Sequence, residues 1–361
     1  MEEMNNTLRP AVTVVPDKEE RRQIRKKYNL AALVIIINII IFNIIVSGAI
    51  IIVCMALGGG FGFEAYRAGS KLLYQRPFLD ALLSYSIPII SETVSIIVGV
   101  KLFRINLKKL AFNRDGYSGG TAVKLITITL GIQFVFSMLI TIIQSILENR
   151  FGLRSATADL TPVASLPANL LTIFYACLLG PVLEELLYRG ILLQSMRKYN
   201  ERFAIILSAL IFGLMHQNYQ QAIPAFAMGI PLAIVTIKYN SIIPAIFAHI
   251  FANTTAIVQT YLIQYIDPDF FNAASSGSMD MELSSLSTPL IAVMFIVALL
   301  RIGFLIAAVV VGIISLVKGG NMKVPTPAGK SRAFPVFVTA VLWWVVFAAY
   351  LFLTFIRPFM I

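Results

Sequence analysis

Between Leu30 and Leu57 the chain carries no Asp, Glu, Lys or Arg. Such a run exceeds the roughly 20 apolar residues a helix needs to cross a bilayer. Lipid offers the backbone no hydrogen bonds, so the run must be helical. It is too long for the apolar region of a cleaved signal peptide and ends at no small-residue cleavage site, so an uncleaved signal anchor is expected. The basic cluster before it, Arg21, Arg22, Arg25, Lys26 and Lys27, keeps the N-terminus cytoplasmic. Comparable runs recur along the whole chain. Of 361 residues, 58% are hydrophobic and 13% charged. That is roughly half the charged share of a soluble domain, which excludes a water-soluble globular protein. Both cysteines, Cys54 and Cys177, lie in apolar runs, so no disulfide framework or CxxC metal site is expected.

The length criterion places spans near 30–57, 81–103, 121–146, 168–196, 203–217, 220–237, 241–265, 290–317 and 334–356. The fold class expected is all-α, a polytopic transmembrane bundle of about nine spans (about eight as the alternative) with a cytoplasmic N-terminus. The fifth and sixth are separated only by Gln217-Asn218-Tyr219-Gln220-Gln221 and also read as a tight hairpin within the membrane. Lys and Arg outnumber Asp and Glu 29 to 18, a net charge of +11. The surplus falls in alternate loops. The N-terminus, 104–120 (Arg104, Lys108, Lys109, Arg114), 197–202, the turn at Lys238 and 318–333 (Lys318, Lys323, Lys330, Arg332) are basic. The intervening loops are mixed or acidic, most clearly 266–288 with Asp267, Asp269, Asp280 and Glu282. That alternation is the positive-inside pattern, and it leaves no excess to attract nucleic acid. Residues 58–80 are expected to lie along the outer interface.

Charges at membrane depth cost roughly 2.5–3.5 kcal/mol each and need a reason. The fourth span contains Glu184, Glu185 and Arg189. Glu185 and Arg189 are one helical turn apart and suit an ion pair. Glu184 points about 100° away around the helix, free for other partners. The only two His are His216, ending the fifth span, and His249 in the seventh, where Asn253 shares its face. At ~1.5 Å per residue, Glu184 and His216 both lie about 20 Å from their cytoplasmic ends, and His249 and Asn253 roughly 12 and 18 Å from theirs. The four polar groups can meet at one level. Gly180-Pro181 is expected to kink the helix beside Glu184. Glu92 in the second span and Arg301 in the eighth are expected to stabilise the bundle, as a mutual ion pair or with the Arg snorkelling.

These groups are the parts for amide hydrolysis. Glu184, helped by His216, would take a proton from water, and His249 and Asn253 could donate hydrogen bonds to the developing oxyanion. Cys177 shares a face with Glu184 but reads as a small packing residue. Glu184, His216 and His249 could also form a His₂Glu zinc set. No HExxH is present, however, and Asn is a poor zinc ligand, so hydrolysis without a cofactor is favoured.

Glu-Glu-x-x-x-Arg at 184–189, Phe-x-x-x-His at 212–216 and His-x-x-x-Asn at 249–253, each on its own span and in this order, resemble the CPBP intramembrane proteases. These are the CAAX-processing and bacteriocin-processing (Abi) enzymes, related to the type 2 CAAX prenyl endopeptidase. The resemblance covers residues 165–265. It implies that Glu184 and His216 activate water, that His249 and Asn253 form the oxyanion hole, and that Glu185 and Arg189 support them. The family has been described both as metalloproteases and as glutamate proteases. The chain then divides into a disordered cytoplasmic segment 1–29, N-terminal helices 30–164, a protease core 165–265 and C-terminal helices 266–361. The expected partner is a membrane-associated protein or peptide in a lipid bilayer, with a prokaryotic plasma membrane as the location. Two other classes fit the composition. One is a non-proteolytic bacteriocin-immunity or scaffold protein of the same fold. The other is a proton-coupled transporter, against which stands the lack of repeated halves.

Overall fold

The computed structural model describes residues 17–113, 118–152, 163, 165–266, 288–317 and 333–357. In chain order the helices are α1 (Lys18–Leu57), α2 (Phe63–Tyr74), α3 (Pro77–Phe103), α4 (Leu107–Phe112), α5 (Gly119–Phe151) and α6 (Leu166–Arg197), followed by α7 (Glu201–Leu214), α8 (Tyr219–Tyr239), α9 (Ile243–Ile266), α10 (Thr288–Val317), α11 (Ala333–Val338) and α12 (Val341–Ile356). No strand occurs among the described residues, and the fold is an all-α polytopic bundle.

Each expected apolar run holds a helix. Seven of them, α1, α3, α5, α6, α8, α9 and α10, are long and apolar enough to cross a membrane. The remaining two are short. Helix α7 has 14 residues, about 21 Å at 1.5 Å per residue against a hydrocarbon core of roughly 30 Å. It is therefore too short to cross that thickness, and it packs against α8 as a hairpin. The acidic residues at 267–282 and Arg114, Lys318, Lys323, Lys330 and Arg332 lie outside the described residues.

The expected disorder of residues 1–29 is corrected from Lys18 onward; residues 1–16 lie outside the described ones. Asp17 caps α1 by accepting from the Glu20 amide at 2.7 Å, and Glu19 and Glu20 occupy the first turn, where carboxylates favour the helix dipole. Ile24 and Tyr28 bury one face of this polar stretch. Tyr28 meets Tyr199, Phe203 and Phe337 edge-on or tilted at 5.6–6.0 Å. Residues 63–74 do more than lie at an interface: α2 folds back onto the end of α1. A Cβ at Gly69 would strike the Cys54 carbonyl, and one at Gly58 the Ala65 carbonyl, so glycine permits the approach.

Helix α6 is central, with Leu187, Tyr188, Ile191, Leu192 and Leu193 buried against α3, α7 and α8. Helices α5 and α10 pack on one another, and α10 turns Phe295, Leu299, Leu300 and Ile306 outward, as suits a lipid-facing helix. Cys54 and Cys177 are free and buried.

The expected pairing of Glu92 with Arg301 is corrected. Arg301 donates to Gln259 of α9 and lies over the Phe134 ring of α5. Glu92 faces the opposite part of the bundle, in the α3–α6 interface, and is 3% exposed. Both residues sit in apolar spans with no amphipathic stripe, so nothing local in the sequence fixes which way each one faces.

Candidate active site

The site is built on α6, whose hydrogen-bond ladder widens twice, at Tyr175–Leu179 and Leu186–Leu192, on either side of Gly180–Glu185. The Gly180 amide reaches back five residues to the Tyr175 carbonyl. Next in that register is Pro181, which has no N–H. The Ala176 carbonyl is therefore left without its helical donor, and Asn253 Nδ2 of α9 fills the place at 2.9 Å. The widened turn is a π-bulge of the kind that recurs at functional sites.

Glu185 and Arg189 make the ion pair their spacing suggested, Nη1 to Oε1 at 2.9 Å, with both side chains fully buried. The guanidinium also donates to the Gly229 carbonyl of α8 at 3.3 Å and lies 4.1 Å from the Phe212 ring centre. Gly229 is small for a reason, since an added Cβ would come within 3.2 Å of Arg189 Nη2 and 3.0 Å of Ala209.

His249 lies between the two glutamates. Its Nδ1 donates to Glu185 Oε1 at 3.0 Å, and its Nε2 faces Glu184 Oε2 at 3.6 Å, an electrostatic contact longer than a hydrogen bond. His216 caps the end of α7, its Nδ1 donating to the Phe212 and Gly213 carbonyls at 3.1 and 3.2 Å. That leaves Nε2 as the basic nitrogen. Gly213 lets α7 and α8 close at this point, because a Cβ there would strike the Ala222 carbonyl.

The structure thus joins Glu184, Glu185, Arg189 and His249 directly. It ties His216 to them through Phe212, whose ring meets His216 and His249 edge-on at 5.6 and 5.4 Å and carries Arg189 on its face. Asn253 is held beside the Pro181 turn by Ala176. Sequence reasoning named Phe212 only as a motif position and missed its place under both imidazoles; the signal was its one-turn spacing from His216. Among the described residues no three His, Cys, Asp or Glu side chains are grouped to hold a metal ion.

Asn253→Ala is expected to cost about 1–3 kcal/mol by leaving the Ala176 carbonyl unpaired in the interior. Pro181→Ala supplies the missing N–H, so in that background the Asn253 substitution should cost less. Denaturant unfolding of the two single variants and the double variant in detergent measures the coupling. An equal cost in both backgrounds would break the link.

Residues 166–255, from the start of α6 to just beyond Asn253, match the family model described as Type II CAAX prenyl endopeptidase Rce1-like. A protein of Bacillus subtilis (strain 168) named "Putative membrane peptidase YdiL" is 33% identical over 89 residues, 24% of this chain and 36% of that protein. The chain so spans little more than a third of the length of the curated relative it matches. No solved structure matches the chain at comparable significance. Both matches support the CPBP and Rce1-like family for the segment that holds the site. Together with seven candidate spans they make the chain an integral membrane protein.

Proposed function

We propose that this protein is an intramembrane endopeptidase that hydrolyses a peptide bond of a membrane-associated protein or peptide. The observation that carries this reading is the buried group of Glu184, Glu185, Arg189 and His249 inside the segment that resembles the Rce1-like family. A charged cluster of this kind at membrane depth is expensive unless it serves function.

In the proposed mechanism Glu184 takes a proton from water as the oxygen attacks the scissile carbonyl, and His216 Nε2 shares that proton and delivers it to the leaving amine. His249, oriented at Nδ1 by Glu185, donates to the oxyanion from Nε2, which requires a proton on both ring nitrogens, and Asn253, oriented by Ala176, supplies the second donor. Arg189 holds Glu185, and through it His249. No step is routed through a metal. The substrate classes that follow from the resemblance are CAAX-type and bacteriocin- or leader-type peptides, and the proposed location is a prokaryotic plasma membrane.

Proteomics of membrane peptides in cells carrying the wild type or Glu184→Gln tests the reading. Cleavage products should appear with the wild type alone, and indistinguishable peptide profiles would sink it. Activity of the purified protein is expected to survive a chelator. Loss to the chelator with recovery on added zinc would replace the metal-independent route.

A further inference from the structure

Among the described residues, Glu92 is the one buried carboxylate that neither the ion-pair network nor the proposed mechanism uses. Helix α3 runs alongside α6 in the same direction. Near one end, the Tyr85 ring stacks on Tyr175 with centroids 4.6 Å apart, and its hydroxyl donates to Thr172 Oγ1 at 2.9 Å. Near the other end, Gly99 backs onto Ile191 so closely that an added Cβ would overlap the Ile191 side chain. Midway between Tyr85 and Gly99 stands Glu92, which this register brings level with the turn from Pro181 to Glu184. Helix α3 touches α6 over Gly180–Glu185, and the Glu92 carboxyl interacts electrostatically with that of Glu184 and with the hydroxyls of Tyr175, Tyr188 and Tyr350.

Two observations point beyond packing. Glu92 is 3% exposed, yet its Oε2 has no hydrogen-bond partner and no salt bridge reaches it among the described residues. Glu184 Oε2 is likewise buried without a hydrogen bond. Two carboxylate oxygens are both acceptors and cannot satisfy one another. A single proton between them removes both deficits at once. It also removes the cost of a buried carboxylate that has no cation. Of the two, Glu184 also faces a second polar group, His249 Nε2 at 3.6 Å, whereas Glu92 Oε2 has no hydrogen-bond partner among the described residues, so the proton is placed on Glu92.

We propose that Glu92 is a positioning residue of the hydrolytic site, its carboxylic acid donating a hydrogen bond to Glu184, directly or through one water. Glu184 is thereby held as the acceptor of that hydrogen bond and aimed at His249 and the attacking water. This role rests on the peptidase reading above; the shared proton does not.

The test has two arms, both on the full-length protein in detergent. In infrared spectra the wild type should show the carbonyl stretch of a protonated carboxylic acid that is lost in Glu92→Gln and shifted in Glu184→Gln. Absence of such a band, or a band indifferent to Glu184→Gln, overturns the proposal without any need for activity. The second arm uses the peptide that the proteomic comparison shows to be cut. Glu92→Leu should keep its unfolding midpoint and its KM but lose kcat on the order of 10–100-fold, as for other groups that orient a catalytic one. Glu92→Gln keeps a donor to Glu184 and should recover most of that loss. A Leu variant of unchanged kcat, or a Gln variant no better than Leu, overturns the role. If the Leu variant does not fold, Glu92→Gln against wild type decides, with a kcat loss beyond about 10-fold counting against it. A wild type that cuts nothing overturns the peptidase reading, while the infrared result still decides the proton.

Discussion

Glu184→Gln is expected to lower cleavage by about 10²–10⁴-fold, the range for loss of a general base, with no comparable loss of fold. The substitution keeps size and shape but removes the group that accepts the proton. Its small effect on stability follows from the division of labour on α6. The ion pair inside the bundle is carried by Glu185 with Arg189, whereas Glu184 makes the 3.6 Å approach to His249 and the proposed contact with Glu92, both of which an isosteric Gln can keep. Cleavage of the identified peptide, measured beside the unfolding midpoint in detergent, separates the two effects. A Glu184→Gln protein that cuts as fast as wild type removes Glu184 from the role of base. One that fails to fold contradicts the division between the neighbouring carboxylates.

Arg189→Met should show the opposite balance, destabilising the bundle by about 3–5 kcal/mol, as expected when one member of a buried pair is left uncompensated. Three supports vanish together. Glu185 loses its cation, the Gly229 carbonyl its donor, and the Phe212 ring the guanidinium stacked on it. Phe212 and Glu185 also hold His249, so activity should fall as well. The double variant Glu185→Gln with Arg189→Met removes the stranded charge and should regain much of the stability, because replacing both members of a buried pair is often close to neutral. It should not regain activity, since His249 then lacks its carboxylate. Unfolding of the two single variants and the double variant gives the coupling energy. Purely additive costs would show that the pair does not act as a unit.

Much of this architecture was readable locally. Each apolar run became a helix because lipid leaves the backbone no other partner, and the spacing of Glu185 and Arg189 was enough to pair them. The helix from Lys18 to Asn29 was not readable in the same way. Its charges outnumber the buried Ile24 and Tyr28, and it is contacts with residues distant in sequence, among them Tyr199, Phe203 and Phe337, that make that face a core face. Glu92 was visible as a charge out of place, but the sequence could not say which neighbour it faced. Ala176 gave no signal by itself; its carbonyl matters only because Pro181 lacks an N–H and α9 brings Asn253 within reach.

Sequence by itself determined the helices, the direction expected of them, and the order of Glu184, His216, His249 and Asn253 along the chain. Tertiary structure decided how each helix is rotated about its axis. In a soluble helix the apolar stripe announces the inward face, but in a bilayer both faces are apolar and that signal vanishes. Rotation is then set by close packing at small residues such as Gly99, Gly213 and Gly229. That rotation turned Arg301 towards Gln259, set Phe212 against two imidazoles, and buried Glu92 in the interior.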